Sequence, residues 1–385
     1  MKRTIFDQDH QLFRDNARRF FTDEVAPRGA DWRAQGHVDR SIYLAAARNG
    51  LLMIWAEEQY GGSGVRDLRY EQIVHEENVS HGEVGFFTSL HSMVVGPYLD
   101  RFATHEQKLR WLAPAARGEK ILAIAMTEPA AGSDLAGMKT HAEDHGEYWL
   151  LNGAKTYISS GSQADFVVVA ARTPGNSSHS MGLFVIETGM PGFTHGEPLK
   201  KMALHAQDTA ELFFSDVRVP KSGVLGDATQ GFKYMSQCLP IERLFVAIGS
   251  VAASESAFEL TLEAVKQRRA FGKPIGAMQN TRFKMAEMRT RIDAAQCFVD
   301  QCVLLANAGE LSASLASEAK LLATELEGWV LDECVQLHGG AGYMDASRIC
   351  RMFGEARITR IYAGTSEIMK ELIGRSLGLD ERTLK

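Results

Sequence analysis

The sequence predicts an α+β chain in three parts: helices over residues 1–120, strands over 121–226 and long helices over 227–385. Three observations carry this reading. Apolar residues recur at helical spacing in the first and last parts and switch to strand-like runs between them. Those runs follow one another without intervening helices, which favours an antiparallel barrel or sandwich over a doubly wound parallel sheet. The C-terminal helices are long and joined by short loops, the pattern of an antiparallel four-helix bundle.

Taken in order, "DQDHQLFRDNARRFFTDEV" places Leu12, Phe13, Ala17, Phe20, Phe21 and Val25 on one helical face, with Pro27 beyond. "DRSIYLAAARNG" ends on the Asn-Gly stop of a helix C-terminus. "EEQYGGSG" reads as a loop. "THEQKLRWLAPAARG" opens with Thr104 and Gln107 in capping-box spacing and ends at Gly118. In the middle part, "EYWLLNGAKTYISSG" reads as two strands turning at Asn152-Gly153, the strongest short hairpin signal. "DFVVVAA", "GLFVIE" and "AELFFSDVRV" follow as strands. The helical period then returns. One helix is expected from near Ile241 to about Arg269, stopping at "FGKP"; others span about 279–307 and 316–338, and "TSEIMKELIGRSLG" forms the last.

Composition bounds the function. With 385 residues, 45% apolar and 23% charged, the chain suits an ordinary globular protein with a core large enough for a sizeable cofactor. Its net charge is −6, and no Lys/Arg block forms a nucleic-acid or membrane footprint. The N-terminus has no apolar run after its basic residues, so no signal peptide is expected. No apolar stretch long enough to span a membrane is expected either. Cys238, Cys297, Cys302, Cys334 and Cys350 form no CxxC pair and are expected to be buried, reduced thiols of a cytoplasmic protein. His91, His205 and His338 match no metal spacing, so no metal site is expected.

"MTEPAAGSDLAG", residues 126–137, follows the apolar run "ILAIA". Its small residues, glycines and hydroxyls describe a loop that brings backbone N–H groups to a ligand. It lacks the phosphate-loop pattern GxxxxGK[ST]. With "GAKTYISSG", "RRAFGKPI", "QLHGGAGY" and "RIYAGTSEI", it appears in the order and spacing of the acyl-CoA dehydrogenases, and the chain resembles that family over its whole length. The resemblance implies a helical N-terminal domain, a middle β-barrel and a C-terminal four-helix bundle. It implies FAD, with Met126, Thr127, Gly132 and Ser133 on one side of the ring and Tyr157 and Ser159 on the other. Arg268, Phe271 and Gln279 would meet the ADP part of a neighbouring subunit's FAD, with Gln336, Gly339 and Gly340 at its pyrophosphate and Thr365 and Glu367 over the adenosine. A shared cofactor implies a dimer, paired again into a homotetramer. The segment "FGEARI" departs from the family's commoner Tyr-Arg-Asp-Ala form.

The family's reaction removes an α-proton and a β-hydride from an acyl thioester, and in most members the base is a Glu after the Tyr of the last motif. Here that position is Ala363. In "CLPIERLFVAIG", Glu242 precedes Arg243 among apolar residues, which resembles the isovaleryl-CoA and long-chain branches that carry the base on the first bundle helix. Glu242 is therefore expected to be catalytic: an apolar surrounding raises a carboxyl toward neutrality, as a base for a weakly acidic proton requires. The Ala363 N–H would still serve the thioester oxygen, with Ser133, Arg243 and Gly364 near the substrate. The expected activity is dehydrogenation of an acyl-CoA in fatty-acid β-oxidation or branched amino-acid breakdown, with electrons passing to an electron-transfer flavoprotein. Alternatives on the same fold are an acyl-carrier-protein thioester as substrate, an enoyl-thioester reductase, a flavin oxidase or monooxygenase, and a non-catalytic FAD-binding member. Acyl chain length is not legible, although Ala247 and Gly249 are small residues that would deepen a pocket beside the base.

Overall fold

The computed structural model describes residues 2–175, 177, 179–380 and 384. The N-terminal helices are α1 (Gln8–Phe20), α2 (Gly29–Gln35), α3 (Ser41–Arg48), α4 (Leu68–His81), α5 (Gly96–Phe102), α6 (His105–Gln107) and α7 (Ala113–Ala116). Their ends follow local chemistry. Asp7 caps α1 by accepting from the His10 N–H. The capping box is formed: Thr104 accepts from Gln107 N–H, and the Gln107 side chain accepts from Thr104 N–H. Gly118, at φ 69°, closes the segment. Of the expected apolar face of α1, Ala17 and Phe20 are buried, but Leu12 points outward and is 62% exposed. Charge fixes this helix: Arg14 donates to Glu77 at 2.7 Å and Glu76 at 2.8 Å on α4, while Arg3 joins Glu76 to Asp300 in the C-terminal part.

The middle strands are β1 (Leu122–Ala125), β2 (His141–Asp144), β3 (Tyr148–Ser159), β4 (Phe166–Arg172), β5 (Met181–Glu187), β6 (Phe193–His195) and β7 (Thr209–Pro220). They form one curled sheet in the order β1-β4-β2-β3-β7-β6, with β5 also on β4. Two expectations are corrected. The sheet is mixed: β1 pairs with β4 in parallel, as do His141 and Arg172, and the other pairings are antiparallel. Asn152-Gly153 is not a turn, because β3 runs through it as a single 12-residue strand. The pair forms a bulge against β7, between Leu151 and Gly153. Asn152 stays there because its side chain donates to Asp216 and accepts from the Asp216 N–H at 2.7 Å. Gly153 has φ 145°, and a Cβ on it would sit 2.4 Å from Thr140 Oγ1. The β2–β3 turn lies instead at Gly146, φ 81°.

The C-terminal part contains α8 (Gly231–Gln267), the two-residue strands β8 (Arg269–Ala270) and β9 (Lys273–Pro274), α9 (Gln279–Asn307), α10 (Ala313–His338), α11 (Arg348–Thr359) and α12 (Ser366–Ser376). The first helix begins ten residues before its expected start, with Pro240 inside it. Its extra turns are anchored because Gly231 lies against the Met181 carbonyl at the start of β5, where a Cβ would be 2.7 Å away. It ends before "RAFGKP", which folds as a hairpin with Phe271 and Gly272 at positive φ. α11 was not expected. Helix α8 also carries an 18-residue window of mean hydropathy 1.3, so, contrary to the sequence expectation, one helix is long and apolar enough to cross a membrane. Two-thirds of that window (67%) is buried against the rest of the chain, as in a core helix. Of the cysteines, Cys238, Cys302 and Cys334 are buried as expected, while Cys297 is exposed and Cys350 half-buried.

Gly153→Ala tests the bulge. The clash with Thr140 and the positive φ act together, so a loss of roughly 2 kcal/mol or more in unfolding free energy is expected by denaturant titration. Unchanged stability would mean that the β3–β7 register is not pinned there.

Candidate active site

Glu242 lies on α8 and is 6% exposed. One of its oxygens accepts from the Tyr98 hydroxyl of α5 at 2.9 Å. Burial pushes the carboxyl up to about 7, against the opposing pull of the Tyr98 hydrogen bond and of Arg243. Burial likewise raises Cys238, one turn earlier, to about 12, so that thiol stays neutral. At 100° per residue, Glu242, Val246, Gly249, Ser250 and Ala253 share one face of α8. The last four line a cavity of about 260 Å³ that is also walled by Phe87 and Tyr362. Gly249 therefore deepens the cavity as its size suggested, whereas Ala247 is buried elsewhere in the core.

The turn after Tyr362 is held by its carbonyls. Arg243 Nε donates to Ala363 O at 3.3 Å and its Nη1 to Ser317 Oγ at 3.4 Å. Lys320, fully buried, donates to Gly364 O at 2.6 Å. Ala363 and Gly364 both take positive φ, 52° and 94°. The Ala363 N–H takes no hydrogen-bond partner among the described residues. The turn thus presents a free donor while its acceptors are tied down, which suits a developing oxyanion. Arg243 acts in this geometry as a support for the turn.

A second buried pair organises the barrel side. Lys155, 0% exposed, donates to Glu128 at 2.8 Å and to Met126 O at 3.0 Å. Glu128 also accepts from the Lys139 and Thr140 N–H groups. The desolvation that lowers Lys155 to about 8 exceeds the opposing pull of Glu128. The Thr156 N–H donates to Thr127 O at 2.9 Å, so the segment carrying Met126 and Thr127 is fastened to the one carrying Tyr157 and Ser159. Tyr157 stands out at φ 60° and 69% exposure. Gly132 and Ser133 are exposed on the loop that follows Thr127.

Of the other expected cofactor residues, Arg268, Phe271, Gln279, Gln336, Gly339 and Gly340 lie toward the other end of the bundle, whereas Thr365 and Glu367 directly follow the Ala363–Gly364 turn. Arg268 follows Glu242 by 26 residues, roughly 39 Å along α8. Phe271 is 93% exposed on its hairpin, and Gln279, Gln336, Gly339 and Gly340 are exposed near the α9 start and α10 end. Thr365 caps α12 through the Ile368 N–H, and Glu367 is exposed in its first turn. A Cβ on Gly132 or Gly340 would meet nothing within 4 Å, so this chain's own packing does not require those glycines, whereas Gly339 is required by its φ of 59°. Together with the uncovered rings of Tyr157 and Phe271, this arrangement fits a long group with a planar ring and a closely approached phosphate portion.

Sequence reasoning missed Tyr98, Lys320 and the Glu128–Lys155 pair. Tyr98 stands 144 residues from its partner and carries no local motif. Lys155 and Glu128 lie inside quoted motifs, and an isolated Lys within a strand of apolar alternation is the signal that could have found them. Among the described residues, no group of three or more His, Cys, Asp and Glu could hold a metal ion.

A buried carboxyl raised toward neutrality, a free amide donor and loops with uncovered rings suit an enzyme that handles an activated carbonyl compound beside a planar group. Comparison with known proteins specifies it. The acyl-CoA dehydrogenase N-terminal, middle and C-terminal domain families match residues 7–119, 123–217 and 229–378. The chain is 45% identical over 382 residues to the mitochondrial long-chain specific acyl-CoA dehydrogenase of Sus scrofa, covering 98% of this chain and 89% of that one. The crystal structure of an acyl-CoA dehydrogenase from Geobacillus kaustophilus superposes with a TM-score of 0.94 at 42% identity, over 97% of this chain and 98% of the other. A glutaryl-CoA dehydrogenase from Mycobacterium smegmatis in complex with FADH2 superposes with a TM-score of 0.91 at 28% identity, over 97% and 95% of the two chains. The chain belongs to the acyl-CoA dehydrogenase family, and its enzyme class is that of the family.

Lys155→Met would leave Glu128 buried without its cation. The expected cost is roughly 3–5 kcal/mol of stability, read as a lower melting temperature, and adding Glu128→Gln should recover part of it. A single variant as stable as wild type would remove the pair as the anchor of the 126–140 loop.

Proposed function

We propose that the protein is an FAD-dependent acyl-CoA dehydrogenase that converts a saturated acyl-CoA thioester to the trans-2-enoyl-CoA, with Glu242 as the base. The observation that carries this reading is Glu242 itself: a buried carboxyl, shifted to about 7, oriented by Tyr98 and set on the same helix face as a cavity. The Ala363 N–H would hold the thioester oxygen and acidify the α-carbon. Glu242 would then take the α-proton, and Tyr98 would keep the carboxylate aimed before the transfer. Bound flavin supplies a hydride acceptor for the β-hydrogen. Met126, Thr127, Gly132, Ser133, Tyr157 and Ser159 would hold its ring end.

The roughly 39 Å between Glu242 and Arg268 supports a cofactor shared between chains. Arg268, Phe271, Gln279, Gln336, Gly339 and Gly340 would serve a neighbouring chain's FAD, with Thr365 and Glu367 closing over it. The reading therefore includes an obligate dimer, paired into a homotetramer. It also includes an electron-transfer flavoprotein as electron acceptor. Five unpaired cysteines support a reducing compartment such as the cytoplasm.

Anaerobic mixing with saturated acyl-CoAs should bleach the flavin of wild type, and Glu242→Gln should bind FAD yet bleach at least about 10³-fold more slowly. Equal bleaching by both would remove Glu242 as the base. A base must be ionised to act, so the wild-type rate should fall as pH drops below about 7. Tyr98→Phe removes a hydrogen bond that favours the carboxylate, and this limb should move upward by about one pH unit. A downward or absent shift would contradict the Tyr98 role. Light scattering should find no FAD-loaded monomer.

A further inference from the structure

Two buried cations of the bundle lack a carboxylate. Lys155 and Lys320 are the lysines with 0% exposure among the described residues. Lys155 is paired with Glu128, and Arg3 and Arg14 likewise have carboxylates in Glu76, Glu77 and Asp300. Lys320 and the buried Arg243 form no ion pair among the described residues. Their donors go instead to Gly364 O, Ala363 O and Ser317 Oγ. A buried charge is normally paired, and a neutral donor would satisfy a carbonyl with less loss of hydration.

Both cations converge on one turn. Arg243 Nη2 lies 3.7 Å from the point that a Cβ on Gly364 would occupy. Burial first, and then the charge of Arg243, lower Lys320 to about 8 against the pull of Glu325, so Lys320 still holds its proton at pH 7. Glu325 is itself engaged, accepting from Ser366 Oγ at 2.6 Å and lying 3.6 Å from Arg360. The turn carries a second anomaly: Ala363 has a Cβ and yet takes φ 52°. Such a conformation persists only where its surroundings hold it, and it clusters at functional sites.

The movement of charge in the proposed reaction gives these cations a use. When the α-proton passes to Glu242, the electron pair of the broken C–H bond delocalises onto the thioester oxygen. Negative charge leaves the carboxylate and arrives at the Ala363 N–H. A group that favoured both positions equally would not speed this transfer. Arg243 acts on both, because it pulls Glu242 down and donates to Ala363 O. Lys320 is tied to the turn alone: burial, Tyr98 and Arg243 shift Glu242, and Lys320 is not among the groups that do.

We propose that Lys320 is a positioning residue for the reaction, acting through Gly364 to hold the turn and to place an uncompensated positive charge beside the oxygen that becomes negative. The inference rests on the dehydrogenase reading above, because it takes the thioester oxygen to lie at the Ala363 N–H. Lys320 does not touch the substrate. Its charge is fixed before the substrate arrives, so no reorganisation is needed as the enolate forms.

The test uses acetoacetyl-CoA, a thioester acidic enough to give an enolate without any flavin step, bound to the purified flavoprotein at pH 7. Its enolate-to-keto ratio is read by ultraviolet difference absorbance for wild type, Lys320→Met and Lys320→Gln, each checked for FAD content and helical signal. Lys320→Gln keeps an amide donor for Gly364 O and removes only the charge. Wild type should raise the ratio above that of free acetoacetyl-CoA, and both variants should lower it about tenfold, the equivalent of one pKa unit. Bleaching by dodecanoyl-CoA should slow by a similar factor. A wild-type ratio no higher than that of the free thioester overturns the inference. So does a wild-type ratio in Lys320→Gln, since the lysine would then serve only as a hydrogen-bond donor. In either case, bleaching of wild type by dodecanoyl-CoA leaves the dehydrogenase reading standing. If no saturated acyl-CoA bleaches the flavin, that reading fails, and the enolate ratios still decide the role of Lys320.

Discussion

The withdrawal of α8 from water is the constraint on which the rest depends. The helix packs against α4, α9, α10 and β5, and so joins all three parts of the chain. A carboxyl placed on such a helix cannot keep its ordinary acidity, because burial penalises its charged form. Glu242 is thereby lifted into the range where it can accept a proton and still be ionised near neutrality. Tyr98 and Arg243 limit the lift, the first by hydrogen bonding and the second by charge. The acidity of Glu242 is therefore a by-product of packing: the contacts that stabilise the bundle also set it.

The same helix governs the turn opposite. Arg243, the residue after the base, reaches back to Ala363 O, and Lys320 of α10 takes Gly364 O. Both cations are spent on carbonyls, which leaves the amide side of the turn open. Two adjacent residues on α8 thus hold the buried carboxyl and the turn with the free amide together. On the function proposed above, a chain with Ala363 would keep a coherent site, with the carboxylate on α8 and the donor on the backbone.

Much of this was legible in the sequence, and the reasons for the remainder are specific. The three-part architecture, the Thr104–Gln107 capping box and the α9 limits Gln279–Asn307 depend on signals within a few residues. That Glu242 is a carboxyl among apolar neighbours was legible from Leu239, Ile241, Leu244 and Phe245 around it. Asn152-Gly153 misled because the residue that overrides its turn preference, Asp216, lies 64 positions away. The start of α8 lies ten residues before its expected place near Ile241 because Gly231 against β5 secures the turns before Pro240. Tyr98 and Lys320 have meaning only in three dimensions.

With Glu242 on a 37-residue helix and the Ala363 N–H on a left-handed turn, the site proposed above would be divided by stiffness. Local opening begins at exposed turns well before it reaches buried helices. On warming, the turn at Ala363 should loosen while Glu242 is still seated. A protein in that state would keep its helical content and its proton acceptor, yet the substrate's α-carbon would no longer be acidified. Loss of function would then precede loss of fold, and the turn would act as the fuse of the enzyme.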